Sequence, residues 1–294
     1  MMIKITPNEH LSLSRYIQEI SGIVLDKSKS YLIEGRLAPL LDEYNCSNYS
    51  ELYFKAKNSS DKVISTKIID AISTNETSFF RDETPFELLK QFILPKLLEK
   101  KADEYFYINK NLDIWCSACS TGQEIYSLGM VLDEISVSYN EYDIKILGTD
   151  ISDLAIQRAS YGSYNKTEID RGLSAERLGK YFHPYGSYWR VNDEIRAFAA
   201  FERLNLLRPL VHLGRFDLIL CRNVAIYFSH ENRKYLFNQI ADRLKPHGVL
   251  IIGSTESLTG LDDRFIRRQY KSAVYYEVIN TNEFSELARQ RGEE

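Results

Sequence analysis

Residues 112–127 constrain the fold more than any other part of the chain. They read as a short apolar run ending at Trp115, a loop of small residues over 116–120, and a turn at Gly122, followed by apolar residues at the three- and four-residue steps of a helix. A strand, a small-residue loop and a helix in this order let backbone approach a ligand, and the helix start adds unpaired N–H groups. The order predicts a binding site where the helix begins.

A second apolar run, 145–150, ends on a carboxylate, Asp150. In doubly wound sheets the acidic residue at this position reaches the hydroxyls of a ribose. The two runs together therefore predict a cofactor that carries a nucleoside. Asp150 also has a simpler interpretation, as a cap for the helix that begins near Ser152.

The composition is that of an ordinary globular protein. Of the 294 residues, 44% are hydrophobic and 27% are charged, and the formal charge of −4 gives no drive toward nucleic acid or an anionic membrane. No apolar run approaches the ~20 residues that cross a bilayer, and the first ten residues contain no secretion signal. The four cysteines make no disulfide framework. We expect a cytoplasmic protein without membrane insertion or nucleic-acid binding.

The chain divides by pattern into a helical part and an α/β part. Residues 1–80 carry amphipathic helical patterns, and a further helix is expected from Thr84-Pro85 to Leu98. Strands then alternate with helices, which indicates a mostly parallel sheet covered on both faces. The predicted strands are 112–116, 144–148, 198–204, 215–221, 247–253 and 273–279, and the predicted helices are 122–135, 152–160 and 231–244.

The alternation is interrupted at 161–197, a segment rich in glycine and tyrosine with a short helical piece at 174–182. We interpret it as an inserted small subdomain. The expected division is a helical N-terminal domain at 1–80, a catalytic domain at 81–284 and a flexible tail at 285–294.

Comparison with known cofactor-binding and redox motifs narrows the chemical class of the ligand. The Cys116-Ser-Ala-Cys119 pair matches a dithiol redox pattern, but no second pair or nearby histidines complete a metal site. No metal site is therefore predicted, and buried packing cysteines are the simpler interpretation. The glycine-rich fingerprints for dinucleotides and triphosphates are absent. A nucleoside cofactor without phosphates, such as S-adenosylmethionine, needs neither fingerprint.

Five motifs occur in order along the chain. They are Thr74-Asn-Glu-Thr-Ser-Phe-Phe-Arg-Asp82, Trp115-Cys-Ser-Ala-Cys-Ser-Thr-Gly-Gln-Glu-Ile-Tyr-Ser127, Gly148-Thr-Asp-Ile151, Leu220-Cys-Arg-Asn-Val-Ala-Ile-Tyr-Phe228, and Leu244-Lys-Pro-His-Gly248 with Gly253-Ser-Thr-Glu-Ser257. Together they resemble one family, the CheR chemotaxis receptor (methyl-accepting chemotaxis protein) glutamate O-methyltransferases. The resemblance covers about residues 5–280 and has small departures at Gln123, Ile125 and His247.

The resemblance implies an α/β fold: a Rossmann-like S-adenosylmethionine-dependent methyltransferase sheet with a small inserted β subdomain, preceded by an all-helical N-terminal domain. It implies S-adenosylmethionine as cofactor, S-adenosylhomocysteine as product, and methyl transfer to receptor glutamates in chemotactic adaptation. The cofactor-binding residues it implies are Asn75, Thr77, Arg81, Glu124, Asp150, Asn205, Leu206, Arg222 and Asn223.

Transfer to a glutamate needs no general base, because the side chain is already anionic near neutral pH. Such an enzyme must hold both partners in line and exclude water. Arg81 is the candidate to orient the acceptor carboxylate, since a guanidinium can grip it with two bonds. Tyr227 is the second candidate, as a hydrogen-bond donor to the acceptor, with strand-end packing as the other interpretation.

The family resemblance also implies binding partners. The expected substrates are glutamates on the cytoplasmic helices of chemoreceptors, and Lys27, Lys29 and Arg36 on the helical domain are candidates to meet their acidic surface. The 182–191 loop is shorter than in members that dock a receptor tail, which argues against tethered recruitment. A monomer is expected. Three alternatives remain open: an inactive cofactor-binding scaffold, a methyltransferase for another protein carboxylate or small molecule, and a dithiol redox protein.

Overall fold

A computed structural model describes residues 3–103, 110–135 and 142–279. Its N-terminal part is helical, as the sequence predicts. Four α-helices and one short 3₁₀ turn make up this domain: α1 (Pro7–Ser21), the 3₁₀ turn Lys27–Lys29, α2 (Ser30–Glu43), α3 (Tyr49–Asn58) and α4 (Val63–Ile72).

Local signals fix the ends of the first helix. Thr6 accepts a hydrogen bond from the Glu9 amide while the Glu9 side chain bonds back to Thr6, which is a capping box. At the other end Gly22 adopts a left-handed conformation with φ of +80°. The inward faces of the helices share one buried core that includes Leu13, Ile33 and Ile68.

Residues 73–83, called the strap below, follow the last of these helices without regular secondary structure. They lead into a long helical stretch made of α5 (Thr84–Leu88), a π-helical turn (Leu89–Ile93) and α6 (Leu94–Asp103). The predicted helix from 84 to 98 is therefore confirmed at its start but runs further. The expected N-terminal domain, 1–80, includes part of the strap.

The α/β part is built on a seven-stranded sheet with the spatial order β6-β2-β1-β7-β8-β10-β9. The first five of these strands are mutually parallel, and β10 and β9 run antiparallel at one edge. The strands are β1 (Lys110–Ser117), β2 (Tyr142–Asp150), β6 (Ala199–Arg203), β7 (Phe216–Cys221), β8 (Leu244–Ile252), β9 (Phe265–Tyr270) and β10 (Ala273–Val278).

The chain leaves β1 toward β2 and β6 on one side and returns to β7 on the other, so the order reverses between β1 and β7. Every residue of β7 is buried, as in the centre of a sheet covered on both faces. Buried clusters lie on the two faces of the sheet. The principal covering helices are α7 (Gln123–Glu134), α8 (Asp153–Tyr161) and α12 (His230–Arg243).

The inserted segment forms a second, three-stranded antiparallel sheet, which confirms the predicted β subdomain. Its strands pair in the order β3-β5-β4. The subdomain contains β3 (Ser163–Tyr164), α9 (Lys166–Asp170), α10 (Ala175–Tyr181), β4 (Phe182–Tyr185), β5 (Tyr188–Val191) and α11 (Asp193–Arg196).

The six predicted strands are all present, with ends shifted by up to a few residues. The prediction missed β9, because Arg267, Arg268 and Gln269 interrupt its apolar pattern at the sheet edge. It also began β8 at 247, three residues late.

The tail at 285–294 lies outside the described residues. Within the described ranges, no helix has both the length and the apolar character needed to span a membrane.

Gly172 of the inserted subdomain lies against the strap, and a substitution there tests this close approach. Its φ is +96°, and a Cβ there would lie 2.1 Å from the carbonyl oxygen of Phe79. We expect Gly172→Ala to lower the free energy of unfolding by at least about 1–2 kcal/mol, from backbone strain alone. Gly179, inside α10, has open space around its Cα, so Gly179→Ala should instead raise that free energy by about 0.5–1 kcal/mol.

Urea unfolding of both variants measures this difference. Equal effects of the two substitutions would contradict the left-handed backbone of Gly172 and its close approach to Phe79.

Candidate cofactor site

One cavity opens at the carboxyl ends of β1 and β7, where the strand order reverses. It encloses about 920 Å³, a volume that includes its open mouth. All ten residues predicted from sequence line it: Asn75, Thr77, Arg81, Glu124, Asp150, Asn205, Leu206, Arg222, Asn223 and Tyr227. Twelve further residues complete the lining: Ser21, Ile23, Ser73, Thr74, Glu76, Ala118, Cys119, Ser120, Ile151, Leu204, Val224 and Phe228.

The loop between β1 and α7 holds its backbone in an uncommon conformation. Ala118, Ser120 and Gly122 all have positive φ, at 54°, 51° and 92°. The Cys119 amide donates to the Thr149 carbonyl at 2.8 Å, which fixes the loop to the end of β2. Such backbone is retained where its surroundings determine it, typically at ligand sites. The loop therefore presents a rigid edge to the cavity.

Asp150 lies at the end of β2 with 7% of its surface exposed. Its two carboxylate oxygens accept the Ser120 and Ser152 amides, each at 2.9 Å. Burial raises the pKa of Asp150, although the amide bonds oppose the shift. Helix α8 is capped by Ser152, whose side chain accepts from Ala155, so Asp150 is not the helix cap. The carboxylate keeps lone pairs for ligand hydroxyls.

Arg222 carries a buried positive charge behind the cavity surface, with 1% of its side chain exposed. Nη1 donates to Glu124 at 2.7 Å, and Nη2 donates to the Arg81 carbonyl at 2.8 Å and to Asp82 at 3.0 Å. Its Nε has no partner among the described residues. Arg222 thus fixes one oxygen of Glu124 and holds the strap against the sheet.

Arg81 stands at the other side of the cavity, on a strained turn. Phe80, Asp82 and Glu83 all have positive φ. The Arg81 guanidinium donates to the Glu76 carbonyl at 2.7 Å, and its side chain is half-buried. Four of the five N–H donors of this guanidinium remain for other partners.

Asn205 holds the helical domain as well as lining the cavity. Its Nδ2 donates to the Ile20 carbonyl of α1 at 3.0 Å, and its Oδ1 accepts the Leu207 amide at 2.9 Å. One N–H and one lone pair of the amide remain for a ligand edge. The predicted contact of Asn205 with adenine stays a prediction.

The turn after β7 is fixed by a carboxylate that the sequence did not single out. Glu256 accepts the Asn223 and Gly253 amides, both at 2.8 Å. Asn223 has a φ of 57°, so this bond holds an uncommon conformation. The 3₁₀ turn Ala225–Tyr227 follows, and the Tyr227 carbonyl accepts the Val24 amide at 2.9 Å.

The cysteine pair does not suit redox chemistry. Cys116 and Cys119 are buried free thiols. Burial raises the pKa of both thiols well above their ordinary value. Dithiol catalysis requires a lowered pKa, because the thiolate is the reactive form. The cysteines therefore act as small apolar residues behind the loop.

The donor set fits an adenosyl cofactor with an amino-acid tail. Asp150 suits ribose hydroxyls and Glu124 suits an ammonium group. The hydroxyls of Ser73 and Ser120 are buried and have no partner among the described residues, and both residues line the cavity. Unpaired buried hydroxyls are costly, so they point to a polar ligand.

Comparison with known proteins decides the family. Residues 75–274 match the family described as CheR methyltransferase, SAM binding domain, and residues 9–72 match the CheR methyltransferase, all-alpha domain. The chain belongs to the CheR methyltransferase family. It is an S-adenosylmethionine-dependent methyltransferase, as the motifs predicted.

Relatives named as chemotaxis protein methyltransferases are similar over most of the chain. It is 37% identical over 265 residues to Chemotaxis protein methyltransferase 1 of Pseudomonas aeruginosa, covering 89% of this chain and 94% of that protein. It is 34% identical to Chemotaxis protein methyltransferase 1 of Vibrio cholerae, with 94% and 98% covered. The relative in Borreliella burgdorferi, Chemotaxis protein methyltransferase, is 33% identical, with 88% and 91% covered.

Sequence reasoning missed the contribution of α1 to the cavity. Ser21 and Ile23 line it from the end of that helix. No local pattern marks them, because only tertiary packing brings them there. Ser120 did have a signal, since it belongs to the small-residue loop.

Asp150 predicts a pH dependence of cofactor binding. Ribose hydroxyls donate to the ionised carboxylate, so affinity for S-adenosylhomocysteine should fall as the pH falls through the pKa of Asp150. Because burial raises that pKa above the ordinary 3.8, the loss should begin at a higher pH than for an exposed aspartate. Calorimetry between pH 7 and 4.5 measures it, with circular dichroism confirming the fold.

Asp150→Asn is the matched control. Its amide must face one of the two backbone donors with an NH₂, so we expect weak binding that hardly changes over the same pH range. A wild-type pH profile retained by the variant would assign the titration to another group.

Proposed function

We propose that the protein transfers a methyl group from S-adenosylmethionine to side-chain carboxylates of glutamates on the cytoplasmic helices of chemoreceptors. The products are glutamate methyl esters and S-adenosylhomocysteine. The single observation that carries the proposal is a cavity that offers a guanidinium, Arg81, and no free base among its described lining residues. The names of the relatives support the chemotactic context.

Each carboxylate in the cavity lining is already engaged. Glu76 pairs with Arg171 at 2.7 Å, Glu124 pairs with Arg222, and Asp150 accepts two backbone amides. No histidine or lysine is among the lining residues that the structure describes. An acceptor that must lose a proton would find no obvious base here, whereas a glutamate is already ionised at neutral pH.

The bound cofactor supplies an electrophilic methyl group on a sulfonium that departs as a neutral sulfide. An acceptor oxygen forms the new C–O bond while the S–C bond breaks, and no proton moves. Arg81 orients the acceptor carboxylate through its free N–H groups. Tyr227 lies beside the same space, where its hydroxyl can donate to the acceptor. Positioning and water exclusion are the remaining contributions of the protein.

The approach of the substrate is supported by a groove next to the cofactor cavity. Ile23, Thr74 and Tyr227 line both. Lys29 also lines the groove and offers a cation for an acidic receptor helix. Arg36 has a different use, since it donates to the Ile72 carbonyl at 2.6 Å and to the Thr74 hydroxyl at 3.2 Å. We assign Lys29 rather than Arg36 to receptor docking, because the Lys29 ammonium has a 3.9 Å ion pair with Asp26 but donates no hydrogen bond among the described residues.

The test is methyl transfer from radiolabelled S-adenosylmethionine to receptor-rich membranes. Glutamate esters release methanol in alkali, whereas methylated amines do not, so we expect the incorporated label to be alkali-labile. Cofactor binding without transfer would favour an inactive scaffold. Alkali-labile transfer to other proteins but not to receptors would favour a different carboxylate substrate.

Arg81→Ala should lower turnover by at least about 10²-fold at saturating cofactor, because the acceptor loses its orienting group. Arg267→Ala, on the exposed edge strand β9, serves as the control and should leave turnover unchanged. Initial rates of the alkali-labile transfer measure both. Near-normal turnover of Arg81→Ala would remove Arg81 from the mechanism.

A further inference from the structure

A second, basic cleft lies between the helical domain and the sheet, beside the cofactor cavity. It encloses about 1090 Å³ including open solvent. We call it the interdomain cleft. Four cations line it, and no aspartate or glutamate is among its described lining residues. The lining consists of Tyr16, Ile20, Ala56, Lys57, Ser59, Lys62, Ser65, Ile69, Ile151, Arg203, Asn205 and Arg208.

The cations come from both sides of the cleft and are only partly compensated. Lys57 and Lys62 belong to the helical domain, and Arg203 and Arg208 belong to the sheet side. Arg203 has an ion pair with Asp153 at 3.3 Å, and Lys57 bonds the Tyr53 hydroxyl at 3.0 Å. For the Lys62 and Arg208 side chains, the described part of the chain offers no hydrogen bond or ion pair.

This charge is local, because the chain as a whole carries a formal charge of −4. A concave site lined by one sign of charge focuses its field and concentrates counter-ions of the other sign. Arginine and lysine are the usual partners of phosphate oxygens, arginine through two parallel bonds. Apolar side chains, Ile20, Ala56 and Ile69, complete the surface of the cleft.

We propose that the interdomain cleft is a binding site for a polyphosphate anion, either inorganic pyrophosphate or the phosphate chain of a nucleotide. A compact anion with several charges can contact cations from both domains at once. A single carboxylate can neutralise only one of them.

The cleft shares residues with the cofactor cavity. Ile151 and Asn205 line both. The Asn205 side chain bonds the Ile20 carbonyl across the domain boundary, and Arg203 Nε donates to the Ile151 carbonyl at 3.2 Å, next to Asp150. An anion that holds the two domains together therefore stabilises the arrangement that closes the cofactor cavity. By reciprocity, each ligand should raise the affinity for the other.

This coupling requires cofactor binding only and is independent of the receptor substrate. The test is calorimetry on the full chain at constant ionic strength, with pyrophosphate and with ADP as titrants. Each is measured with and without S-adenosylhomocysteine. The variants are Lys62→Glu and Arg208→Glu, with Arg267→Glu on β9 as the charge-matched control.

We expect saturable binding of at least one titrant, weakened tenfold or more by either cleft variant and unchanged in the control. Affinity for S-adenosylhomocysteine should rise several-fold when the cleft is occupied. The variants alone should bind S-adenosylhomocysteine within about twofold of wild type, which shows that they fold. Tighter binding of ADP than of pyrophosphate assigns the site to nucleotides, and the reverse assigns it to the inorganic anion.

Absence of saturable binding by both titrants overturns the proposal, and so does binding that is the same in the cleft variants. Unchanged affinity for S-adenosylhomocysteine with the anion bound refutes the coupling. If the cleft variants weaken only the binding of an acidic receptor-helix peptide, the cleft is a protein-docking surface instead. Methyl-transfer activity enters none of these measurements, so failure here is separable from failure of the proposed reaction.

Discussion

The buried guanidinium of Arg222 is the interaction on which the site depends. It lies at the end of the central strand β7 and ties α7, through Glu124, to the strap, through the Arg81 carbonyl and Asp82. A charge that is almost wholly removed from water must keep its partners, and removing one partner of such a pair typically costs about 3–5 kcal/mol. The geometry of three separate segments is thereby set by one side chain. The Arg81 side chain lines the cavity while its own carbonyl is held from behind by Arg222.

The strap is also fixed by the two flanking parts of the molecule. Phe79 packs edge-on against Tyr164 and Phe182 of the inserted subdomain, with ring centroids at 4.9 and 5.5 Å. The guanidinium of Arg177 lies 3.7 Å from the centroid of the Phe80 ring. Burial raises the pKa of Glu134, but hydrogen bonds from Arg177 and Lys90 outweigh it and lower the pKa to about 2. The ionised Glu134 in turn holds Arg177 in place. The subdomain therefore shapes the active site regardless of whether it also docks a receptor.

The cavity was predictable from the sequence where its parts are local. The small-residue loop after β1 and the carboxylate after β2 are adjacent because parallel strands end at one edge, and topology alone brings them together. Asp150 is one of the ten site residues gathered in the cavity. The other nine rest on the family resemblance, which carries tertiary information that periodicity lacks. Strand β9 was missed because it lies at a little-buried edge of the sheet, where charged residues replace the alternation of apolar and polar residues. Glu256 lies within the fifth motif but was not predicted as a site residue, because its role of accepting two backbone amides is visible only in the structure.

The contacts of the helical domain change how its role should be understood. Asp70 of α4 accepts the Ser152 hydroxyl at 2.7 Å, and the Ser152 amide in turn donates to Asp150. At the other end of the cavity, Val24 donates to the Tyr227 carbonyl. The domain thus reaches both the predicted ribose site and the predicted acceptor site through hydrogen bonds. A partner that displaces this domain must alter cofactor affinity, because each of these bonds ends on, or one residue from, a group that lines the cavity. Displacement of the helical domain and cofactor binding are therefore expected to be linked in both directions.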